Sequence, residues 1–451
     1  MSSRLKSWIA PTYLLACLIL GGSAQGIWQN MLLQLVGLVI IGWAALVTGN
    51  EPISGPAKTL LWLMIAAIAV VLLQTIPLPP SFWSHGIRGR IAEGYELLGR
   101  PVPSFPVAVA PYDLLDTLLR IIPPLALFCC VVRLKAFTVN GLAAALLAGT
   151  IAGVALGAAQ VGGGEKSPWY LYEETNIGFG VGFFANVNHM ADLLVISIPF
   201  LAATAASTRR ENAQRHSAVT IVLVSILLML LVGIGLNRSL AGYGLSLPVL
   251  AASALIVLPT GSRWRSITVG IAALSIVASV AALGTSSIGA TRIGQDAATS
   301  VESREQILRT TRKAIEDFMP LGSGLGSFVK VYRLYERPDA VTTEYVIHAH
   351  NDYAELALEL GIPGMVLMLL FLGWWVAAVW DVWQRRKGGP FVQAASIASG
   401  VIMVHSLVDY PLRTAAISAC FAMSLALLAQ RRATPSKERG ALRPTRHLVV
   451  G

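Results

Sequence analysis

The chain has 451 residues, of which 55% are hydrophobic and only 13% are charged, and its formal net charge is +10. Soluble domains carry about 25% charged residues, so this composition excludes an ordinary soluble protein. The basic residues form short clusters between apolar runs rather than one stripe, which indicates membrane topology and argues against a nucleic-acid-binding surface.

Apolar runs of about 20 residues, the length that crosses a bilayer core, recur from one end of the chain to the other. The first run follows Arg4 and Lys6 and is interpreted as a retained span, because no small-residue cleavage site leads into a soluble domain. The runs predict an all-α polytopic membrane protein with twelve transmembrane helices. The predicted spans are 8–24, 28–48, 58–76, 113–132, 137–160, 190–206, 218–236, 240–260, 266–287, 362–383, 391–408 and 414–430.

The distribution of positive charge predicts the orientation. Both termini and every alternate loop hold basic clusters, which together contain more than half of the 34 lysines and arginines. The positive-inside rule therefore predicts cytoplasmic termini. On the opposite side we expect three long or polar loops, 77–112, 161–189 and 288–361, and the tight turns Gly235–Gly244 and Val408–Arg413. Polar groups gathered at one membrane rim indicate that the function lies there.

The spans and loops divide the chain into four parts. Transmembrane helices 1–9 are followed by a large loop that carries the most polar segment, then by helices 10–12 and a basic cytoplasmic tail. The corresponding residues are 1–287, 288–361, 362–430 and 431–451.

The large loop begins with a predicted helix over residues 301–318. One stripe of it consists of Ile307, Leu308, Thr311, Ala314, Ile315 and Phe318. An amphipathic helix on the membrane surface is the alternative to a helix that lines a site. The following Pro320–Phe328 segment has glycines at alternate positions, which permit unusual backbone angles and close approach of a ligand, although a plain turn would have the same composition.

Residues 348 to 360 form the most polar segment of the loop. Asp352 and Glu355 are suited to capping a short helix that ends at Gly361. His350 precedes that helix, whose N-terminus favours an anion such as phosphate. A histidine near pKa ~6.5 can act as a general base at neutral pH.

A metal site is the alternative for this segment. His348 and His350, with Asp352 and Glu355, have the side chains of ordinary metal ligands. Local chemistry also allows either histidine to be the base. All four cysteines lie inside apolar runs, which disfavours disulfides and a cysteine metal site.

The polar segments resemble those of one family. His350 and Asn351, then nine residues, Gly361, two residues and Gly364 resemble the signature of the bacterial O-antigen ligase and O-antigen (exopolysaccharide) polymerase family of membrane glycosyltransferases. The other segments with this resemblance are Phe184–Ala191, Asn237–Gly244, Arg304 with the glycine segment that starts at Pro320, and His405–Arg413.

Three positions depart from the family pattern. Asn237 replaces a serine, Ser239 replaces a glycine, and Met365 follows the second glycine, where the family usually has threonine or tyrosine. The last departure is not typical of a strict ligase.

The resemblance implies a fold, a place and a reaction. The fold would be related to the lipid-donor (type C) glycosyltransferases, in the bacterial inner membrane, with the active site on the periplasmic side. The reaction would be metal-independent and would need no cofactor. It would move a glycan from an undecaprenyl-diphosphate carrier to lipid A-core or to a second lipid-linked glycan, in contact with membrane lipids and without nucleic acid.

The resemblance also implies roles for residues. His350 would handle the acceptor hydroxyl, and Arg238 and Arg304 would hold the donor diphosphate. The residues expected to support them are His348, Asn351, Glu355, Glu359, Asn188, His189, Asp409 and Arg413.

Two activities within the family and one outside it stay open. The His350 signature favours a ligase that moves finished glycan to lipid A-core. The His405–Arg413 segment favours a polymerase that extends lipid-linked repeat units. A transporter of lipid-linked glycan without catalysis is the third reading, although the two halves of the chain lack the similarity that transporters often show.

Overall fold

The computed structural model describes residues 3–47, 53–84, 86–173, 175–211, 216–259, 261–284, 292–338 and 345–430. The basic tail predicted over 431–451 lies outside them. Helices dominate the described residues, and one short antiparallel pair of strands, β1 (Pro77–Leu78) and β2 (Phe105–Pro106), lies in the first long loop.

The helices, in chain order, are α1 (Ser3–Lys6), α2 (Ile9–Leu20), α3 (Trp28–Leu46), α4 (Gly55–Leu73), α5 (Pro80–Trp83), α6 (Gly89–Leu97), α7 (Asp113–Arg120), α8 (Ile122–Val132), α9 (Val139–Gly162), α10 (Val187–Glu211), α11 (His216–Asn237), α12 (Leu240–Val257), α13 (Arg263–Gly284), α14 (Arg292–Phe318), α15 (Phe328–Tyr335), α16 (Asp352–Trp383), α17 (Pro390–His405) and α18 (Ala415–Ala429). Short 3₁₀ turns cover Gly86–Arg88 and Pro411–Arg413.

Among the described residues, eight helical segments are long and apolar enough to cross a membrane. They are Trp28–Leu46, Gly55–Leu73, Asp113–Val132, Val139–Gly162, Val187–Thr208, Ala218–Asn237, Leu240–Val257 and Asp352–Trp383. The prediction of a multi-pass helical membrane protein is therefore confirmed. The count of twelve stays a prediction, because α2, α17 and α18 are shorter helices and α13 is not among the eight.

Helix α10 is the centre of the membrane core. It packs against α9, α11, α12 and α17, and the residues from Leu193 to Ile196 are fully buried. By contrast, α3 and α11 expose large apolar side chains such as Val39 and Ile221. Apolar side chains are stable on such an outer surface when lipid surrounds it, so the pattern fits a bundle with a packed centre and a lipid-facing exterior.

The large loop folds into a layer of helices at the end of the bundle. Of the stripe predicted on α14, Ile307, Thr311, Ala314 and Phe318 are buried and Ile315 is partly buried, whereas Leu308 is exposed. It packs against α15 and the first turns of α16, where Leu358 is fully buried. The apolar face of α14 is therefore covered by other helices of the loop, and its position relative to the membrane surface stays a prediction.

The predicted stop at Gly361 is a kink inside α16. Gly361 has φ 59° and ψ −151°, a left-handed conformation that is strained for residues with a side chain. A Cβ atom there would meet the backbone of the glycine segment, at Pro320 O and at 2.6 Å from Gly322 N. The kink lets the polar start of α16 and its apolar remainder run in different directions.

We expect Gly361→Ala to lower stability. The unfavourable φ alone costs about 1–3 kcal/mol, and the contact with the backbone of the glycine segment adds to it. Gly373→Ala is the matched control in the same helix, because a Cβ atom at Gly373 meets nothing within 4 Å. Thermal unfolding in detergent should show a clearly lower Tm for Gly361→Ala alone. Equal Tm values for both variants would contradict the role of the kink.

Candidate active site at the rim

Four segments of the chain meet at one end of the bundle. They are the start of α10 from Asn186 to Asp192, the turn from Asn237 to Ser239, the segment from His348 to Glu355, and the segment from His405 to Arg413. Helix α14 contributes Arg304 to the same place. Most predicted site residues are thus brought together, although they are far apart in the sequence.

Asp409 is fully buried at the centre of this cluster. Its Oδ2 atom accepts a 2.6 Å hydrogen bond from the Asn188 side chain, and its Oδ1 atom accepts one from the Tyr410 backbone N–H. His350 Nδ1 lies 3.2 Å from Oδ1, and the Arg304 guanidinium lies 3.8 Å from Oδ2. Burial raises the pKa of the Asp409 carboxyl, but His350 and Arg304 outweigh burial and hold this pKa well below its usual range. Asp409 is therefore a carboxylate at neutral pH.

His350 has a backbone conformation that is uncommon for a residue with a side chain. Its φ is 49°, in the left-handed region, and such strain often marks functional positions. This backbone turns Nδ1 of the ring toward Asp409 and sets the ring edge-on to Tyr410, with 4.9 Å between centroids. The side chain is 26% exposed, so part of the imidazole faces away from the cluster.

His348 has a different environment. Its Nδ1 atom lies 3.0 Å from Glu355 Oε1, and its side chain is only 10% exposed. Burial lowers the pKa of His348, although the neighbouring Glu355 carboxylate opposes this shift. Because His348 is buried against Glu355 while His350 is more open and beside Asp409, the two rings do not converge on one point. Among the described residues, no group of three or more His, Cys, Asp and Glu side chains could hold a metal ion.

Arg413 ties the end of the late segment to the start of α16. Its guanidinium lies 2.9 Å from Glu355 Oε1 and 3.4 Å from Asp352 Oδ1. Glu355 also accepts a 3.0 Å hydrogen bond from the Ala349 N–H. The Glu355 carboxylate therefore holds His348, the backbone beside it and Arg413 together.

Three imidazoles surround the Tyr410 ring. The centroid distances are 4.4 Å to His348, 4.9 Å to His350 and 5.3 Å to His189. Both ring nitrogens of His189 are buried and have no hydrogen-bond partner among the described residues. His189 thus packs in the site rather than bonding to it.

Arg238 is exposed in the turn between α11 and α12, with φ 57°. Its neighbours connect this turn to the cluster: Asn237 donates a 2.9 Å hydrogen bond to Val187 O, and Ser239 donates a 2.8 Å hydrogen bond to Asn188 Oδ1. Because Asn188 also bonds to Asp409, the turn is fixed beside the site while the Arg238 side chain stays accessible.

Asn351 caps α16. Its Oδ1 atom accepts from the Ala354 N–H at 2.9 Å, and its Nδ2 atom donates to Leu407 O at 2.8 Å. The Asp352 N–H donates to Ser406 O. These two N–H groups are satisfied by the chain itself, so the helix N-terminus is less open to an anion than the sequence indicated, and the arginines are the stronger candidates for phosphate.

The glycine segment is held by Glu359. Its Oε1 atom accepts hydrogen bonds from Gly326 N at 3.0 Å and from Phe328 N at 3.2 Å. A Cβ atom at Gly322 would overlap the Glu359 carbonyl. The segment therefore wraps the α16 backbone, and Glu359 fixes the end of α14, and with it Arg304, relative to His350.

Three residues that face the cluster, Asp192, His405 and Tyr410, were missing from the predicted site residues. Asp192 is fully buried in α10 and lies 2.7 Å from Nδ1 of His405, whose Nε2 atom is 4.0 Å from Asp409. Tyr410 supplies the ring around which the histidines pack. The signal for Asp192 was a carboxylate inside an apolar span, which in a membrane protein is a functional-site indication. For Tyr410 the sequence offered no signal beyond its place in the His405–Arg413 segment.

These features define a class of protein: a multi-pass helical membrane protein with a site of histidines, arginines and a buried carboxylate at one rim. Residues 223–369 match the family described as O-antigen ligase, and this match confirms the predicted resemblance to the O-antigen ligase and polymerase family. The matched segment includes Arg238, Arg304 and His350. It supports a function of the ligase or polymerase type. No curated protein is matched by the chain.

We expect His348 to make stability fall in mild acid. The pKa of the folded His348 is below its ordinary value of 6.5, so the unfolded chain takes up a proton near pH 6.5 that the folded chain does not. Stability is therefore full above pH ~6.5 and decreases below it, by at most about 1.4 kcal/mol per pH unit. The groups that face the ring, Glu355 and Tyr410, remain in His348→Gln.

Thermal unfolding at pH 7.5 and 5.5 measures this effect. The decrease in Tm between the two pH values should be smaller in His348→Gln than in the wild type, because the glutamine does not titrate. An equal decrease in both proteins would show that His348 makes no such contribution.

Proposed function

We propose that this protein is an O-antigen ligase-like glycosyltransferase, which moves a glycan from an undecaprenyl-diphosphate carrier to an acceptor hydroxyl on the periplasmic side of the bacterial inner membrane. The main observation in support of this proposal is that His350 and Arg304 lie against the same buried carboxylate, Asp409. A candidate base and a candidate phosphate ligand are thereby adjacent. Twelve spans with cytoplasmic termini complete the proposal and put the rim site in the periplasm.

His350 acts as the general base. Its Nδ1 atom is turned to Asp409, so Nε2 remains for the acceptor hydroxyl. A carboxylate on one ring nitrogen orients the imidazole and stabilises the imidazolium that forms when the other nitrogen takes a proton. The His405–Asp192 pair packs beside this carboxylate, with His405 Nε2 at 4.0 Å from Asp409 Oδ2. His348, which is already engaged by Glu355, has a structural role.

Arg304 and Arg238 hold the diphosphate. In the reaction the acceptor oxygen forms a bond to the anomeric carbon, its proton moves to His350, and the bond from that carbon to the diphosphate oxygen breaks. The electron pair of that bond leaves with the polyprenyl diphosphate. Guanidinium groups match phosphate oxygens in a bidentate way and stabilise the charge that develops there, so the reaction proceeds without a metal ion.

Substitution of the two central residues tests the mechanism. We expect His350→Ala to lower the transfer rate by about 10²–10⁴-fold, the usual effect of removing a general base. Arg304→Ala should lower it by about 10²–10³-fold, as removal of a charge-stabilising donor does. Arg309→Ala is the matched control, because Arg309 is on the same helix, is exposed and pairs with Glu305.

The measurement is glycan transfer by purified, folded variants in nanodiscs. Wild-type rates in both His350→Ala and Arg304→Ala would refute the assignment of the site. If Arg309→Ala lost as much activity as Arg304→Ala, substitutions in α14 would be damaging in general. The Arg304 result would then not support a phosphate contact.

A polymerase that extends lipid-linked repeat units is the second candidate. The His405–Arg413 segment favours it, since Asp409 and Arg413 of this segment are central to the cluster. Mass spectrometry of products distinguishes the two. We expect glycan on lipid A-core when lipid A-core is added to the lipid-linked donor. Longer lipid-linked chains from the donor alone would instead identify a polymerase.

A further inference from the structure

A cavity shares Arg413 with the candidate active site. Its volume is about 390 Å³, within the usual range of small-molecule sites. It lies between the α2–α3 loop, the first turns of α3, α7 and the start of α18. Its polar and aromatic lining includes Gln25, Trp28, Asn30, Gln34, Arg120 and Arg413. Arg413 lines this cavity and also belongs to the candidate active site, where its guanidinium lies 2.9 Å from Glu355.

The charges of this cavity are balanced. Arg120 pairs with Asp116, which also lines the cavity, and Arg413 pairs with Glu355 and Asp352. The carboxylate beside Arg413 lies at 2.9 Å, closer than the 3.8 Å between Arg304 and Asp409, so the cavity is less suited than the Asp409 cluster to the charged part of the donor. It is better suited to a neutral ligand that offers hydroxyl groups.

The remaining lining has the chemistry that recognises sugars. Asn30 donates hydrogen bonds to Ser23 O and Gln25 O and so holds the α2–α3 loop in place at the cavity wall. Gln25 and Gln34 line the same wall and carry amide groups that can bond to hydroxyls. Trp28 is 63% exposed and offers an indole face. Sugar rings combine apolar C–H faces, which pack on an aromatic ring, with hydroxyls that bond to amides.

From these observations we infer that the cavity beside Arg413 binds a sugar ring of the glycan next to the bond that is made or broken. This inference rests on the proposed glycosyl transfer for its place in the reaction. Trp28 supplies the stacking surface, and Gln34 supplies hydrogen bonds. Arg413 connects the occupied cavity to Glu355 and so to the segment that carries His350. The ring belongs either to the donor or to the acceptor.

Sugar binding is measured without catalysis. The probe is the oligosaccharide released by mild acid from the lipid-linked glycan pool of the producing cells, and saturation-transfer difference NMR in nanodiscs reports its contact with the protein. We expect strong sugar signals with the wild type. In Trp28→Ala and Gln34→Ala the affinity should fall about tenfold, and Trp28→Phe should restore part of it.

Trp380→Ala is the matched control, because the Trp380 indole is similarly exposed but lies near the C-terminal end of α16 and does not line the cavity. It should bind the oligosaccharide as the wild type does. Wild-type affinity in both Trp28→Ala and Gln34→Ala, with unchanged Tm, would overturn the inference. Loss of binding in Trp380→Ala as well would overturn it too, since the sugar would then not be bound at one place.

Kinetics identify the source of the ring. A higher KM for the lipid-linked donor in Trp28→Ala assigns the cavity to the donor glycan, and a higher KM for the acceptor assigns it to the acceptor. A lower kcat with both KM values unchanged would contradict a binding role. If the wild type transfers no glycan but its sugar signals still depend on Trp28, the sugar site stands and the proposed reaction fails.

Discussion

A carboxylate that is wholly removed from water is stable in its charged form only where donors and cations surround it. Asp409 meets this requirement through Asn188 on α10, His350 before α16 and Arg304 on α14. These neighbours come from the membrane core and from the layer of helices above it. Asp409 therefore joins the membrane core to the layer of helices. His350, the candidate base, and Arg304, the candidate phosphate ligand, are adjacent because both contact this one carboxylate.

Much of the fold could be predicted because the physical causes are local. Runs of apolar residues predicted the membrane class, a stripe at helical spacing predicted the buried face of α14, and Gly361 predicted a break in α16. His350, Arg304 and Asp409 were named from motif resemblance. Each of these signals is carried by residues that are close in the sequence.

The rest depends on contacts between distant segments. Glu359 was expected near the site, but nothing in its neighbourhood predicted that its carboxylate would bond to the backbone of the glycine segment. Asp192 and His405 are 213 positions apart and meet only because α10 packs against α17. The cavity beside Arg413 likewise exists only where the α2–α3 loop approaches α7. Sequence periodicity describes one helix at a time, so it does not report which faces of two helices meet.

The kink at Gly361 also determines how far the polar start of α16 lies from the opposite end of that helix. The straight part of α16 beyond it, from Ile362 to Trp383, rises about 33 Å at 1.5 Å per residue, close to the thickness of the hydrocarbon core. With its far end at one boundary of the bilayer, the kink lies at the other. Under the proposed reaction, this places His350 near the depth at which the diphosphate of a membrane-anchored donor lies, so the substrate would reach the site without leaving the lipid.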